Sequence, residues 1–334
     1  MAKIFVSGVA GFLGSHLAER LLEEGHTVVG VDNLIGGYLD NVPAGVDFYQ
    51  ADCRDRELMV RLMQGVDVVY HTAAAAYEGL SVFAPLYVNE HTYMTTVSLL
   101  SAAASAHVKR FVFLSSMARY GEQQTPFMES MSTLPHDPYG IAKVASEMQV
   151  REICETHGIE WVLAVPHNII GPRQKYDDPY RNVASIMANR MLQGKPPIIY
   201  GDGRQMRCFS FVSDVVDPLV MLGFEDSVVG EAINVGPDEE FVTIKHLAEV
   251  LSGIIGYTGE HIHMPDRPRE VKLATCSSEK ARRLLNYQTK VNLQDGLQEI
   301  VDYIVKRGVK PFEYHIPLEI DSHLTPKTWK ERLM

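Results

Sequence analysis

The segment that most constrains this chain is Lys3-Ile-Phe-Val-Ser-Gly-Val-Ala-Gly-Phe-Leu-Gly-Ser-His16. Ile4, Phe5 and Val6 read as a short buried strand. Gly8, Gly11 and Gly14 follow at a spacing of three, and the apolar pattern through Leu17, Leu21 and Leu22 predicts a helix. A strand, a glycine turn and a helix make a cradle for phosphate. The first glycine lets the chain turn off the strand, the second lets backbone approach a pyrophosphate, and the third lets helix pack on strand. Free N–H groups and the positive helix end then face the anion. Val28 to Val31 predict a second strand ending in Asp32, where a carboxylate can hold both hydroxyls of an adenosine ribose. The glycine spacing alone also fits an ordinary tight turn; the flanking strand, helix and acid together favour a dinucleotide. No Arg follows Asp32, only Asn33 and Leu34, so a 2′-phosphate would meet an uncompensated carboxylate and NAD is favoured over NADP.

With 334 residues, 46% of them hydrophobic and 22% charged, the chain can bury a sizeable core. Its net charge of −11 argues against a nucleic-acid partner, because phosphate backbones demand surplus Lys and Arg. Cys53, Cys154, Cys208 and Cys276 are far apart, and no apolar leader precedes the first strand, so a reduced, cytoplasmic protein is expected. No apolar run approaches the roughly eighteen residues that a membrane span needs.

Strands are predicted at Val46 to Gln50, Val66 to Tyr70, Arg110 to Leu114 and Trp161 to Val165, with an Ala-rich helix over about 87–106. This alternation means a parallel, doubly wound sheet, which binds ligands at the carboxyl ends of its strands. Asp52 there either meets the adenine amino group or caps the helix through Leu58 and Leu62. Beyond residue 172 the alternation weakens. Helices are expected at Val183 to Leu192, from Asp214 to about Gly223, at Ile244 to Ile255 and at Leu293 to Val305, while Ile198 to Tyr200 and Ile233 to Val235 read as strands. The domains are expected at 1–172 for the dinucleotide, with later strands returning to it, and at 173–310 for a smaller unit. A polar tail of unread role spans 311–334.

Tyr139 and Lys143 share one face of the helix that follows the strand ending in Ser115-Ser116. A phenol titrates near pH 10, so acting as a base near neutrality needs a depression of about three units, roughly 4 kcal/mol. A buried ammonium and an oxidised nicotinamide are two positive charges that can supply it. Tyr139 would then exchange the proton of a substrate hydroxyl, Ser116 would hold its oxygen, and Lys143 would lower the phenol and bind the nicotinamide ribose. Tyr-x-x-x-Lys is also a common accident of amphipathic helices; its place beyond the glycine cradle favours the chemical reading.

On these residues the chain resembles the extended short-chain dehydrogenase/reductase family, and most closely its NAD-dependent nucleotide-sugar epimerases and dehydratases. The resemblance implies an α/β fold, a doubly wound Rossmann sheet with a smaller C-terminal α/β substrate-binding domain, and a homodimer built on helices near 87–106 and 139–157. The family's Ser-Ser-x-x-x-Tyr-Gly matches Ser115 to Gly121, which makes Ser116 the catalytic serine beside Tyr139 and Lys143. Candidate cofactor contacts are Gly8, Gly11, Phe12, Leu13, Gly14, Asp32, Asn33, Asp52, Cys53, Ala73, Asn89 and Pro166, together with Tyr139 and Lys143. Asn-x-x-Gly-Pro matches Asn168 to Pro172, and Gly-Asp-Gly…Arg matches Gly201 to Arg207. The family's pattern then implies that Asn168, Arg207 and Arg267 contact a nucleotide diphosphate, that Glu270 holds a ribose, and that Tyr200 stacks on a base. Glu78, Ser116, Asn182 and Val183 complete the expected substrate contacts. His167 stands where an aromatic residue is usual and is either a pocket-lining ring or a second acid or base. Arg119 replaces an aliphatic and leaves substrate identity open, and Lys175 and Arg181 read as solvated loop charges. His261 and His263 lack a third ligand nearby, so no metal is expected.

The departures bear on the reaction. Family 4,6-dehydratases place Asp and Glu directly after the serine or threonine, where this chain has Met117 and Ala118, and uronate decarboxylases carry Glu at Ala118's position. The resemblance therefore implies an epimerase, inverting C4 of a UDP-sugar through a transient 4-keto sugar. A dehydratase, a reductase or an other-carbon epimerase, with His167 or Glu78 as an extra acid or base, is the alternative within the fold. A non-catalytic dinucleotide-binding module is the alternative outside it.

Overall fold

The computed structural model describes residues 1–268 and 271–334. Seven strands form one parallel sheet: β1 (Lys3–Ser7), β2 (Thr27–Asp32), β3 (Asp47–Gln50), β4 (Val68–His71), β5 (Arg110–Leu114), β6 (Glu160–Pro166) and β7 (Ala232–Val235). Their spatial order is 3-2-1-4-5-6-7, so the direction in which successive strands are added reverses between β1 and β4. That reversal opens a crevice above the carboxyl ends of the two central strands, where a ligand fits without displacing a crossover.

The strands read as continuous apolar runs because both faces are covered. Ile4, Val6, Val28, Val112 and Val162 pack on one side with Leu17 and Leu21 of α1 (Phe12–Glu23). Phe5, Val29, Val69 and Phe111 pack on the other, against Met59 of α2 (Arg56–Leu62) and Leu99 of α3 (Thr95–Ser105). Helix α3 continues a helical run that begins at Pro85 and passes through a π-type turn at Glu90–Met94.

Helix α4 (Pro138–His157) carries Tyr139 and Lys143. Asp137 caps it by accepting from Gly140 N at 2.9 Å, Pro138 occupies its first turn, and Gly158 ends it in the left-handed conformation. Both polar residues thus sit on the first two turns of a helix whose start is fixed from both sides.

A second apolar cluster joins α5 (Val183–Leu192), α7 (Ile244–Ile255) and α8 (Leu293–Arg307) through Met187, Leu251 and Ile300. Between them in sequence, α6 (Val212–Met221) returns to the first sheet, packing Val215 and Leu219 beside α1. The C-terminal segment lies against both parts. Its Ile316 and Trp329 are buried with Tyr77, Phe83 and Tyr180, and Glu319 accepts from the Leu86 and Tyr87 amides at 2.8 and 2.7 Å. Nothing in its polar composition foretold this; the burial rests on a few aromatic and aliphatic side chains. No helix among the described residues is long and apolar enough to cross a membrane.

Candidate active site

Two cavities meet at Ala76 and Arg181. The first lies over the glycine turn. Gly8 has φ of +74°, and a side chain there would drive its Cβ to 2.9 Å from the Ala73 backbone. A Cβ on Gly14 would lie 2.2 Å from the Gly8 carbonyl, so this glycine lets α1 sit directly on the turn. Gly11 caps α1 with no side-chain bond, leaving the helix's first N–H groups directed at the cavity. Asp32 accepts from Ala10 N at 3.0 Å and Leu34 N at 2.7 Å, which fixes its carboxylate at the cavity wall. Burial raises its pKa while those backbone bonds lower it. An open, uncapped cradle with a held acid at one end suits a dinucleotide.

Phe12, Leu13, Asn33, Asp52, Cys53, Ala73, Pro166, Tyr139 and Lys143 line this cavity with the glycines and Asp32. Asn89 does not: its amide donates to Pro85 O one turn back, at 2.8 Å, and His91 and Thr95 line the wall instead. The following π-type turn shifts which side chains of this run reach the cleft, and a regular helical periodicity gave no sign of it. Asp52 is not the cap of α2. Asp55 accepts from Leu58 N at 3.1 Å, and Asp52 pairs with Arg54 at 2.8 Å.

At the far end Tyr139 lies beside Ser116, whose Oγ accepts from Ala118 N at 3.2 Å and which itself lines neither cavity. Lys143 is 3% exposed; its ammonium donates to Leu114 O at 2.7 Å and lies 5.8 Å from the Tyr139 ring centre. Burial pushes Lys143 down to about 7, against the pull of Glu147. Burial also pushes the Tyr139 phenol up; the Ser116 hydroxyl and the Arg181 charge oppose it, while Glu78 and Asp137 add to it. In the folded chain desolvation outweighs the Arg181 charge at Tyr139. Beneath them Ser115 donates to Glu147, whose other oxygen pairs with Arg119 at 3.0 Å. Arg119 is buried in this pair and lines neither cavity, so it bears on the support of the site and not on substrate identity.

The second cavity is lined by Glu78, Asn168, Asn182, Val183, Tyr200, Arg207 and Arg267 among others. Asn168, at φ +46°, donates to Cys208 O at 3.2 Å. Arg207 Nη1 donates to Met206 O at 2.8 Å, and Arg267 lies over the Tyr200 ring, 4.6 Å from its centre. Trp329 and Met334 of the C-terminal segment complete this wall, and Thr328 Oγ1 is 2.5 Å from Tyr200 Oη. His167 is not part of it. Its ring is 1% exposed and donates from Nε2 to Pro237 O at 2.8 Å, outside the lining of both cavities, which removes it as a pocket-lining ring, and burial pushes its pKa down. Glu270 lies outside the described residues. Arg181 stands in the cleft and is not a solvated loop charge; a loop position carries no periodicity that would have revealed this.

A reversed-order parallel sheet with a phosphate cradle at its crevice, a buried phenol and ammonium on the far wall of the same cavity, and a second cavity meeting it at Ala76 and Arg181 define an enzyme that works with a dinucleotide on a ligand held beside it. The sequence matches the model of the NAD dependent epimerase/dehydratase family over residues 4–236, and the chain belongs to that family. Its cofactor is NAD. The UDP-glucose 4-epimerase of Mycolicibacterium smegmatis is 32% identical over 311 residues, covering 90% of this chain and 98% of that protein. The UDP-glucose 4-epimerase of Thermotoga maritima, solved with UDP-glucose, superposes with a TM-score of 0.85 at 32% identity, over 91% of this chain and 99% of that one. The UDP-glucuronic acid 4-epimerase of Bacillus cereus, solved with UDP-glucuronic acid and NAD, gives 0.85 at 30% identity, over 92% and 100%.

Proposed function

We propose that this enzyme inverts C4 of a UDP-sugar through a transient 4-keto sugar, with NAD retained throughout. The observation that carries the reading is that Tyr139 and Lys143 line the cofactor cavity beside Ser116, and that this cavity meets a second, arginine-bearing one at Ala76 and Arg181. The related 4-epimerases named above support it. So does the absence of a carboxylate directly after Ser116, where Met117 and Ala118 offer no acid for elimination.

The cradle at Gly8 to Gly14 and Asp32 would hold the dinucleotide. When bound, NAD⁺ would supply the hydride acceptor and donor for the sugar carbon and a positive ring charge that favours a phenolate. Tyr139 removes the C4 hydroxyl proton and later gives it back. Ser116 holds the same oxygen, and Lys143, tied to the Leu114 carbonyl, keeps a donor beside the phenol and the ribose. Arg207 and Arg267 hold the diphosphate while the sugar turns, so that the returning hydride reaches its other face. The net redox change is zero.

A homodimer fits the same reading: Ile141 and Met148 on α4, with Met94 and Leu86 on the neighbouring helical run, are exposed at 53, 64, 49 and 64%. Its mass by sedimentation decides that point. The four free, buried cysteines accord with a cytoplasmic setting.

The deciding experiment is NMR of the purified protein with UDP-glucose, UDP-N-acetylglucosamine and UDP-glucuronate, without added cofactor. A C4 epimer from any of them establishes the cycle and names the sugar. A stable keto or deoxy product overturns the epimerase in favour of a dehydratase, and no turnover of any favours a binding module.

A further inference from the structure

Arg181 projects from the loop before α5, and its attachment is unusually firm. Three residues earlier, fully buried Asp178 accepts from Tyr77 Oη at 2.8 Å and from Tyr180 N at 2.9 Å. The Arg181 guanidinium lies 4.6 Å over the Tyr77 ring and is 21% exposed. Beyond its approach to Tyr77, its donors are only loosely engaged. Nη2 reaches Ala74 O at 3.5 Å, Nε stands 3.7 Å from Asp178, and Nε has no hydrogen-bond partner. Arg119 and Arg173 also leave donors unpartnered, but they and Arg282 each meet a carboxylate at 3.0 Å or less, which Arg181 does not. A half-buried guanidinium with open donors is costly unless an acceptor arrives.

The position of the group selects the acceptor. Arg181 crosses the cleft to the loop after Asp32, where a Cβ on Gly36 would lie 2.8 Å from Nη2 and 3.3 Å from Cζ. Gly36 has no positive φ, so the backbone does not require glycine there; the room is taken by Arg181. The charge is felt at Asp32, on the ribose side, and at Tyr139, at the nicotinamide end, lowering the proton affinity of both. A cation between those two ends faces the middle of an extended dinucleotide, opposite the amino end of α1.

We propose that Arg181 binds the pyrophosphate of NAD from across the cleft, and that Gly36 is the residue that admits it. The substrate-side loop thereby supplies a cofactor ligand, closing on the pyrophosphate from the face the glycine turn leaves open. This rests on the cavity being the NAD site.

The test reads cofactor exchange in the holoenzyme. Isotopically labelled NAD is exchanged into wild type, Arg181→Ala, Arg181→Lys, Gly36→Ala and the Arg181→Ala/Gly36→Ala double variant, and UDP affinity is measured calorimetrically on each. Arg181→Ala should release NAD about 10- to 100-fold faster, the worth of one charge-assisted pair of hydrogen bonds, with UDP affinity unchanged. Arg181→Lys should fall between, because it keeps the charge and loses the fork. Gly36→Ala displaces only the end of a flexible side chain, so it should fold, speed NAD release, and add nothing in the Arg181→Ala background. Unchanged exchange in Arg181→Ala, a loss of UDP affinity in place of NAD retention, or additive effects of the two substitutions would overturn the proposal. A wild type that retains no NAD would instead sink the reading of the cavity itself.

Discussion

Arg119 and Glu147 form an ion pair of 3.0 Å whose side chains are 4 and 3% exposed. Arg119 N also donates to Ser116 O at 3.1 Å, so the pair ties the turn bearing Ser116 to the helix bearing Tyr139. Removing one partner leaves an uncompensated buried charge, which costs about 3–5 kcal/mol. Arg119→Leu should lose that much stability in urea unfolding and lower kcat more than it raises KM. Arg119→Leu/Glu147→Met should recover most of the stability. A single variant as stable as wild type would show that the pair contributes nothing.

Tyr139→Phe keeps the ring in its buried place, 7% exposed, and removes only the hydroxyl beside Ser116. Turnover should fall by about 10²- to 10⁴-fold, the range for a lost general acid–base group, while bound NAD measured after acid release stays at the wild-type level. Loss of NAD together with activity would place Tyr139 in cofactor retention instead.

His16 on α1 donates from Nε2 to Pro172 O at 3.1 Å, and burial holds its pKa down to about 4. The unfolded chain takes up this proton near pH 6.5 and the folded chain only near 4, so the unfolded state binds more protons between those values. Stability from this group is therefore full above pH 6.5 and lost as pH falls toward 4. His16→Gln, which keeps a donor for Pro172, should flatten that part of the decline. Urea midpoints at pH 7, 6, 5 and 4.5 check this, and parallel profiles for the two proteins would refute it.

Trp329 is 4% exposed, edge-on to Tyr180 at 5.6 Å and Phe83 at 6.1 Å, and it walls the second cavity. Trp329→Ala should cost about 3–5 kcal/mol by cavity formation and raise KM for the nucleotide sugar more than it lowers kcat. A purely structural role would leave KM unchanged in the folded fraction.

The candidate site divides along the same line as these residues. Asp32, the glycine turn and the Tyr139–Lys143 face were legible because each is a local pattern: a strand end, a turn that only glycine allows, two positions one helical turn apart. Asn89 and His167 were misread, and Asp52 was left between two readings, because a side chain of the right type near the right place still chooses among partners. Asn89 took its own helix's carbonyl, His167 took Pro237, and Asp55 won the cap from Asp52.

The sequence by itself determined the alternation of apolar strands and helices, and with it the doubly wound sheet, because periodic burial is written into residues a few positions apart. Only the tertiary structure decided that Arg181 enters the cofactor cleft and that the C-terminal segment walls the second cavity. Arg181 meets Ala74 from 107 residues away and Tyr200 meets Thr328 across 128. Contacts of that range leave no periodic trace, since they depend on where two separately folded surfaces come to rest against each other.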